Sequence, residues 1–307
     1  MEQPRVLSFT PSQAPRITRQ KRLTRSATVH PAGIFIPEDP SLSPEAHFPL
    51  QTVSAPDRPA LPRFVNRFNS REMLLVIDGS CINNGRSFAE NNPGLRPSGG
   101  IAFKFKGGSA NSTTEAPTFP LLVPTEEGHE KIKDTLGTVK HPLEYQGPQG
   151  HIVDHTSNRA KLRAVIAALQ FRSWGQEGWR RVVILTDLEY IVRGATEWLP
   201  RWVRQGWRKT RLQPWHRRRR GEKFGPKKPG ASRYAIANRD LWEELQFRIE
   251  ELRRENCEVS FWLACTDVER ESQFIAQTKA AAREAAGLGH FWDMQPERFT
   301  QLCGIML

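Results

Sequence analysis

Two aspartates stand where chemistry could be done. Asp78 closes the apolar run MLLVI (73–77), and Asp187 follows a second run, RVVILT (181–186). Runs of this length, apolar at successive positions, read as buried strands, and a helical stretch between them supplies the crossover that parallel neighbours need. If the two strands are adjacent, both carboxylates leave the sheet at one edge, where open α/β sheets hold their ligands. Paired carboxylates there suit a divalent ion with oxygen ligands, such as Mg²⁺, which can activate water for phosphodiester cleavage. An Asp after a strand is equally an ordinary turn residue, so the two positions alone leave both readings open.

Charge is the second chemical feature. The 307 residues include 45 Lys+Arg against 33 Asp+Glu, a formal net charge of +12. Thirteen of the basic residues and one acid, Glu222, fall within 201–233, so the whole excess belongs to one segment, which carries Arg217, Arg218, Arg219 and Arg220 in a row. Polyanions bearing phosphate are its natural partners through counterion release, and the interleaved Trp202, Trp207 and Trp215 could stack on bases. A solvated basic loop or a nuclear localisation run has the same composition. No apolar run approaches the roughly 18 residues of a membrane span. Cys81, Cys257, Cys265 and Cys303 lack metal-ligand spacing and read as reduced thiols in an intracellular setting.

The elements that must position these groups can be read along the chain. Residues 1–65 hold eleven of the 23 prolines and little hydrophobic periodicity, which predicts a disordered, basic, Pro-rich arm. Its first 36 residues have the composition of a mitochondrial presequence, although the prolines oppose an amphipathic helix; nucleus and mitochondrion both stay open. A single domain is expected over 66–290, with a tail at 291–307. The strand ending at Asp78 runs into the turn NNG (83–85), and GGIAFKFKG (99–107) alternates like a half-exposed strand. After an irregular insertion at about 108–140, two extended stretches in 142–156 complete an antiparallel meander. Thr156-Ser157-Asn158 offers a helix cap ahead of Leu162, Val165, Ile166 and Leu169 at helical spacing. Following 181–186 come an amphipathic helix marked by Leu241, Leu245, Ile249 and Leu252, the strand EVSFWLA (258–264) and an Ala-rich helix near 273–286. This order predicts an α/β fold, a mixed sheet with helices on both faces. His141, His151 and His155, near the third strand, read as surface positions.

LLVIDGSCINNG (74–85), TSNRAKLRAVIAAL (156–169), VVILTDLEY (182–190) and NRDLWEEL (238–245) together, and in this order, resemble the ribonuclease H family in its bacterial-like and fungal type 1 branch. The resemblance spans roughly 71–286. It implies a ribonuclease H-like fold, a five-stranded mixed sheet of order 3-2-1-4-5, and hydrolysis of the RNA strand of RNA/DNA hybrids with two Mg²⁺ ions. It also implies four acidic site positions, of which the first matches Asp78 and the third Asp187, as catalytic metal ligands. The second, a Glu in a TSNRAEL-like phrase, is Lys161 here. The fourth, an Asp entering the last helix, is Gln277, or Lys279 if the alignment shifts by two residues, and the serine that usually follows the third acid is Leu188. Residues matching the family's hybrid-binding positions are Ser80, Cys81, Asn83, Asn84 and Asn158. The basic segment falls where some relatives carry a substrate-holding protrusion.

Two carboxylates and an ammonium make a poor cage for two Mg²⁺ ions. Lys161 could meet a phosphate where an ion would sit, or swing into solvent. Asp267, Glu269 and Glu271, ahead of the last helix, could supply a third carboxylate. The expectation is a ribonuclease H-like protein that binds nucleic acid, RNA/DNA hybrid or structured RNA, with catalysis weak or lost and Mg²⁺ weakly held or absent. The alternatives are an active Mg²⁺-dependent hybrid endonuclease and a non-catalytic protein-interaction scaffold.

Overall fold

The computed structural model describes residues 30–55, 58–84, 96–107, 137–207, 236–291 and 298–302. Arg217 to Arg220, most of the insertion and the first 29 residues lie outside this set. At the centre are strands β4 (Glu72–Ile82) and β7 (Arg181–Thr186). Met73 to Val76 and Val182 to Leu185 are all buried, so both pleat faces of both strands are covered. The two pair in parallel, with Val76 opposite Leu185. Strand β5 (Ser98–Lys104) runs antiparallel to β4, and β6 (Thr138–Pro142) antiparallel to β5. On the other side β8 (Glu258–Leu263) is parallel to β7, and the two-residue strand β1 (Gly33–Ile34) is parallel to β8. The order β1-β8-β7-β4-β5-β6 contains the anticipated five-strand order with one strand added at an edge.

The third strand is not where the sequence placed it. It lies at Thr138–Pro142, in the end of the supposed insertion, because Val139 and His141 are the inward positions of its pairing with β5. Residues 143–155 form a loop with a single bridge, Gln146 to Ile152. Two of the three histidines there are buried. His155 accepts a bond from Gly99 N and stacks on Tyr145 with centroids 4.5 Å apart, and burial drags its pKa down to about 4. His141 is buried with Nδ1 2.6 Å from Pro142 O, and only His151 is exposed.

Helix α2 (Ser157–Gln170) begins at Thr156, whose hydroxyl accepts from Arg159 N, and presses Leu162, Val165, Ile166 and Leu169 against one face of the sheet. Helix α5 (Arg239–Arg254) lies on the same face and is tied to α2 by the two-bond Arg159–Asp240 pair at 3.0 and 2.7 Å. The described residues after β7, up to 207, form α3 (Glu189–Arg193), a π-helical turn (Gly194–Trp198) and α4 (Leu199–Arg204). Trp202, at the start of the basic segment, stacks edge-on against Trp242 and beside Trp198, and Arg239 lies over Trp207. Both indoles are therefore packing residues rather than free platforms for bases.

The opposite face overturns the picture of residues 1–65 as one disordered arm. From residue 30 onward the chain forms β1, helix α1 (Pro44–His47) and a hairpin of β2 (Leu50–Ala55) with β3 (Arg58–Phe64). Phe35, Phe48 and Phe64 cover Leu74, Val76, Val183, Leu185 and Trp262. Burial of such a ring contributes roughly 1.5–3 kcal/mol, enough to offset ordering of the residues that carry it. The prolines sit where they are tolerated: Pro44 in the first turn of α1, and Pro62 in a hairpin separate from the main sheet. After a short helix α6 (Asp267–Arg270), helix α7 (Gln273–Phe291) completes this face, packed across β4, β5 and β6.

Candidate functional site

Because Val76 faces Leu185 in a parallel pair, Asp78 and Asp187, each two residues further on, emerge side by side at one edge of the sheet. Two helices reach this edge. Gly79 lets the start of α2 touch β4: a Cβ there would lie 2.3 Å from Lys161 N. Gly100 does the same for α7 on β5, where a Cβ would lie 2.1 Å from Ala286 N. Each helix delivers one lysine. Lys161 Nζ is 2.8 Å from Asp78 Oδ1 and 2.8 Å from Asp187 Oδ1, and Lys279 Nζ is 2.6 Å from Asp187 Oδ2. The contact to Asp187 is a formed hydrogen bond; that to Asp78 is an ion pair that leaves Asp78 Oδ1 without a directed donor.

The electrostatics follow from burial and pairing. Burial pushes the Asp78 carboxyl above its usual range, and the Lys161 charge only partly offsets it. Asp187 is less enclosed; burial pushes it up as well, but hydrogen bonds and charge from Lys161 and Lys279 outweigh this and hold it low. Burial alone would lower the Lys161 ammonium, yet Asp78 and Asp187 together raise it, so the group stays charged. With side chains 9 to 36% exposed, the four groups form a half-open, internally neutral cluster.

Of the two α7 residues that the resemblance left open, Lys279 and not Gln277 reaches the aspartates. Thr278 and Ala282 face the sheet from α7, which turns Gln277 to solvent and leaves Lys279 beside the buried stripe, pointing to Asp187. Lys161 does not swing into solvent. Nor do the loop acids fill the gap: Glu269 is spent on Trp262 Nε1, Cys265 N and Thr266 N, while Asp267 and Glu271 are exposed. Among the described residues there is no group of three or more His, Cys, Asp or Glu able to hold a metal ion. The Mg²⁺ that the sequence suggested does not fit this donor set, since each carboxylate already faces an ammonium.

The polar positions expected to read nucleic acid gather at the same edge. Ser80 and Cys81 continue β4 beyond Asp78, with the Cys81 thiol pushed up to about 11 by burial. Asn83 turns the chain with φ 58°, and Asn84 Nδ2 reaches Ser157 Oγ at 3.3 Å, which brings the end of β4 beside the exposed Asn158. Arg201 and Arg204 are exposed at the near end of the basic segment.

Residues 136–253 match the family model described as RNase H. That stretch contains Lys161 and Asp187 but neither Asp78 nor Lys279. Curated relatives named ribonuclease H include one from Pelobacter propionicus, 32% identical over 105 residues, covering 34% of this chain and 47% of that protein. Another, from Halorhodospira halophila, is 37% identical over 90 residues, 29% of this chain and 44% of its own length. The chain thus spans under half the length of these relatives. Among solved structures, LC9-RNase H1 aligns over 70% of this chain and 73% of its own, with 22% identity and a TM-score of 0.37, a likeness too distant to bear on the site.

Proposed function

We propose that this distant relative of the ribonucleases H, related to them through residues 136–253, holds nucleic acid without hydrolysing it. The observation that carries the reading is Lys161, whose ammonium stands 2.8 Å from both Asp78 and Asp187. An ammonium carries one charge and has no open coordination position for a water, so two-metal hydrolysis has no means of generating its nucleophile here. The features suited to holding a polynucleotide are separate from that loss. Asn83, Asn84 and Asn158 offer amides able both to donate and to accept at 2′-hydroxyls, and the basic segment 201–233 adds sequence-independent attraction to phosphate. An RNA/DNA hybrid or a structured RNA is the ligand class these groups fit. No described helix is long and apolar enough to cross a membrane.

The test is incubation of the purified chain with an end-labelled RNA/DNA hybrid in Mg²⁺ or Mn²⁺, with binding followed on the same preparation. Salt-sensitive binding without cleavage is expected. Cleavage that vanishes in Asp78→Asn would replace this reading with the hydrolytic one, and binding indifferent to salt, or none, would favour a protein-interaction scaffold.

A further inference from the structure

We infer that the ammonium groups of Lys161 and Lys279 replace the two divalent ions as fixed charges, so that a phosphodiester is met by lysine and nucleic acid is bound with no metal requirement. The inference rests on the nucleic-acid reading above and names the groups that would touch the phosphate.

Three observations lead to it. First, Lys161 Nζ bridges the two carboxylates, 2.8 Å from one oxygen of each. Second, the charges balance. Asp78 and Asp187 face Lys161 and Lys279, so the two carboxylates are matched by two ammonium charges with no ion loaded. Third, the lysines are delivered by rigid parts of the fold. Both helices are seated on the sheet through the backbone contacts at Gly79 and Gly100, so neither ammonium depends on a loop for its position.

The two lysines are not equivalent. Lys161, with 14% of its side chain exposed, is held from two sides by the aspartates. Lys279 is 36% exposed and gives one bond to Asp187 Oδ2, and an ammonium has three donors in all. Its remaining donors can take a phosphate oxygen arriving at the open edge. Lys161 then acts as the internal counter-charge that keeps Asp187 in place for Lys279.

The experiment measures binding of a fluorescent RNA/DNA hybrid to the full chain in EDTA and in millimolar Mg²⁺ at matched ionic strength. Affinities within about twofold of each other are expected, a margin well under one lost charged contact. Lys279→Gln should weaken binding by about tenfold and reduce the slope of log affinity against log salt by about one. In a separate arm Lys161→Glu combined with Lys279→Asp should create a divalent site, read as a melting temperature that rises with Mn²⁺ while that of the parent chain does not. A metal requirement for binding by the parent chain, or Mn²⁺ stabilisation of it equal to that of the double variant, overturns the inference. So does an unchanged affinity and salt slope in Lys279→Gln. That last result, with parental binding intact, sinks the clamp alone, whereas absence of any parental binding sinks the nucleic-acid reading with it. If the double variant does not fold, the Lys279→Gln result decides.

Discussion

Helix α2 feeds two charged clusters from positions two residues apart, and they follow different physics. Arg163 pairs with Glu144 where both side chains are 1% exposed, through contacts of 2.7 to 3.2 Å from Nη2 and Nε. The same guanidinium donates to Thr300 O at 2.6 Å and lies 4.4 Å from the Phe299 ring, while Glu144 accepts from Thr300 N. Nε, Nη2 and both Glu144 carboxylate oxygens are engaged inside the protein while Nη1 is buried without a partner, and the product is structural: α2, the loop after β6 and the segment at 298–302 are stapled together. Lys161 lies on the other side of the buried Leu162, in a cluster with twice as many cations and a half-open edge. A closed ion network spends its charges on the fold; an open one, held in place by the same helix, keeps some for a ligand.

Breaking the closed cluster should cost most. Burial pushes Glu144 up, but Arg163 outweighs it and keeps the carboxylate ionised, so Arg163→Ala strands a charge in the interior. A loss of about 3–5 kcal/mol is expected, seen as a lower urea midpoint, with much of it recovered when Glu144→Gln is added. A smaller loss, or no recovery in the double variant, would mean that water reaches Glu144 and the cluster is not closed.

How far the sequence disclosed these two regions differs for a physical reason. Asp78, Asp187 and Lys161 were legible because each ends or interrupts a periodic apolar pattern that fixes its place on a strand or helix. Lys279 was visible only as a two-residue ambiguity, since the regular alanines of α7 give no marker of rotational phase. The staple was not legible, because Glu144, Arg163 and Thr300 meet across 19 and 137 residues of chain. Nor was the cover formed by residues 30–64: Phe35, Phe48 and Phe64 lie too far apart to form a period, and the prolines between them mimic disorder.

The open cluster depends on close seating of α2, which Gly79→Ala tests next. The new methyl would fall 2.3 Å from the backbone of Ala160 and Lys161, and neither can yield without moving the helix. Overpacking of this kind costs about 1–3 kcal/mol. The accompanying sign that Lys161 has been displaced would be a hybrid affinity that falls more than the affinity of Arg163→Ala does at equal fraction folded. Equal losses would mean that the two clusters are coupled through α2 as a unit.

The smallest effects separate the two aspartates within the open cluster. Asp187 is held below its ordinary range in the folded chain, so it contributes stability that is present above its unfolded pKa and lost as pH falls through the folded value. Asp78 has the opposite sign: its folded pKa is raised, so ionising it costs the folded state as pH rises past the unfolded value. At neutral pH Asp187→Asn should therefore destabilise by about 1–2 kcal/mol, while Asp78→Asn should be near neutral or slightly stabilising. Thermal melts from pH 7 down to pH 3 check the sign: the gap between parent and Asp187→Asn should shrink on acidification, as Asp187 takes up its proton in the folded parent. If instead Asp78→Asn is the more damaging substitution at neutral pH, Lys161 draws its hold from Asp78, and Lys279 with Asp187 is the part of the cluster free to turn toward a ligand.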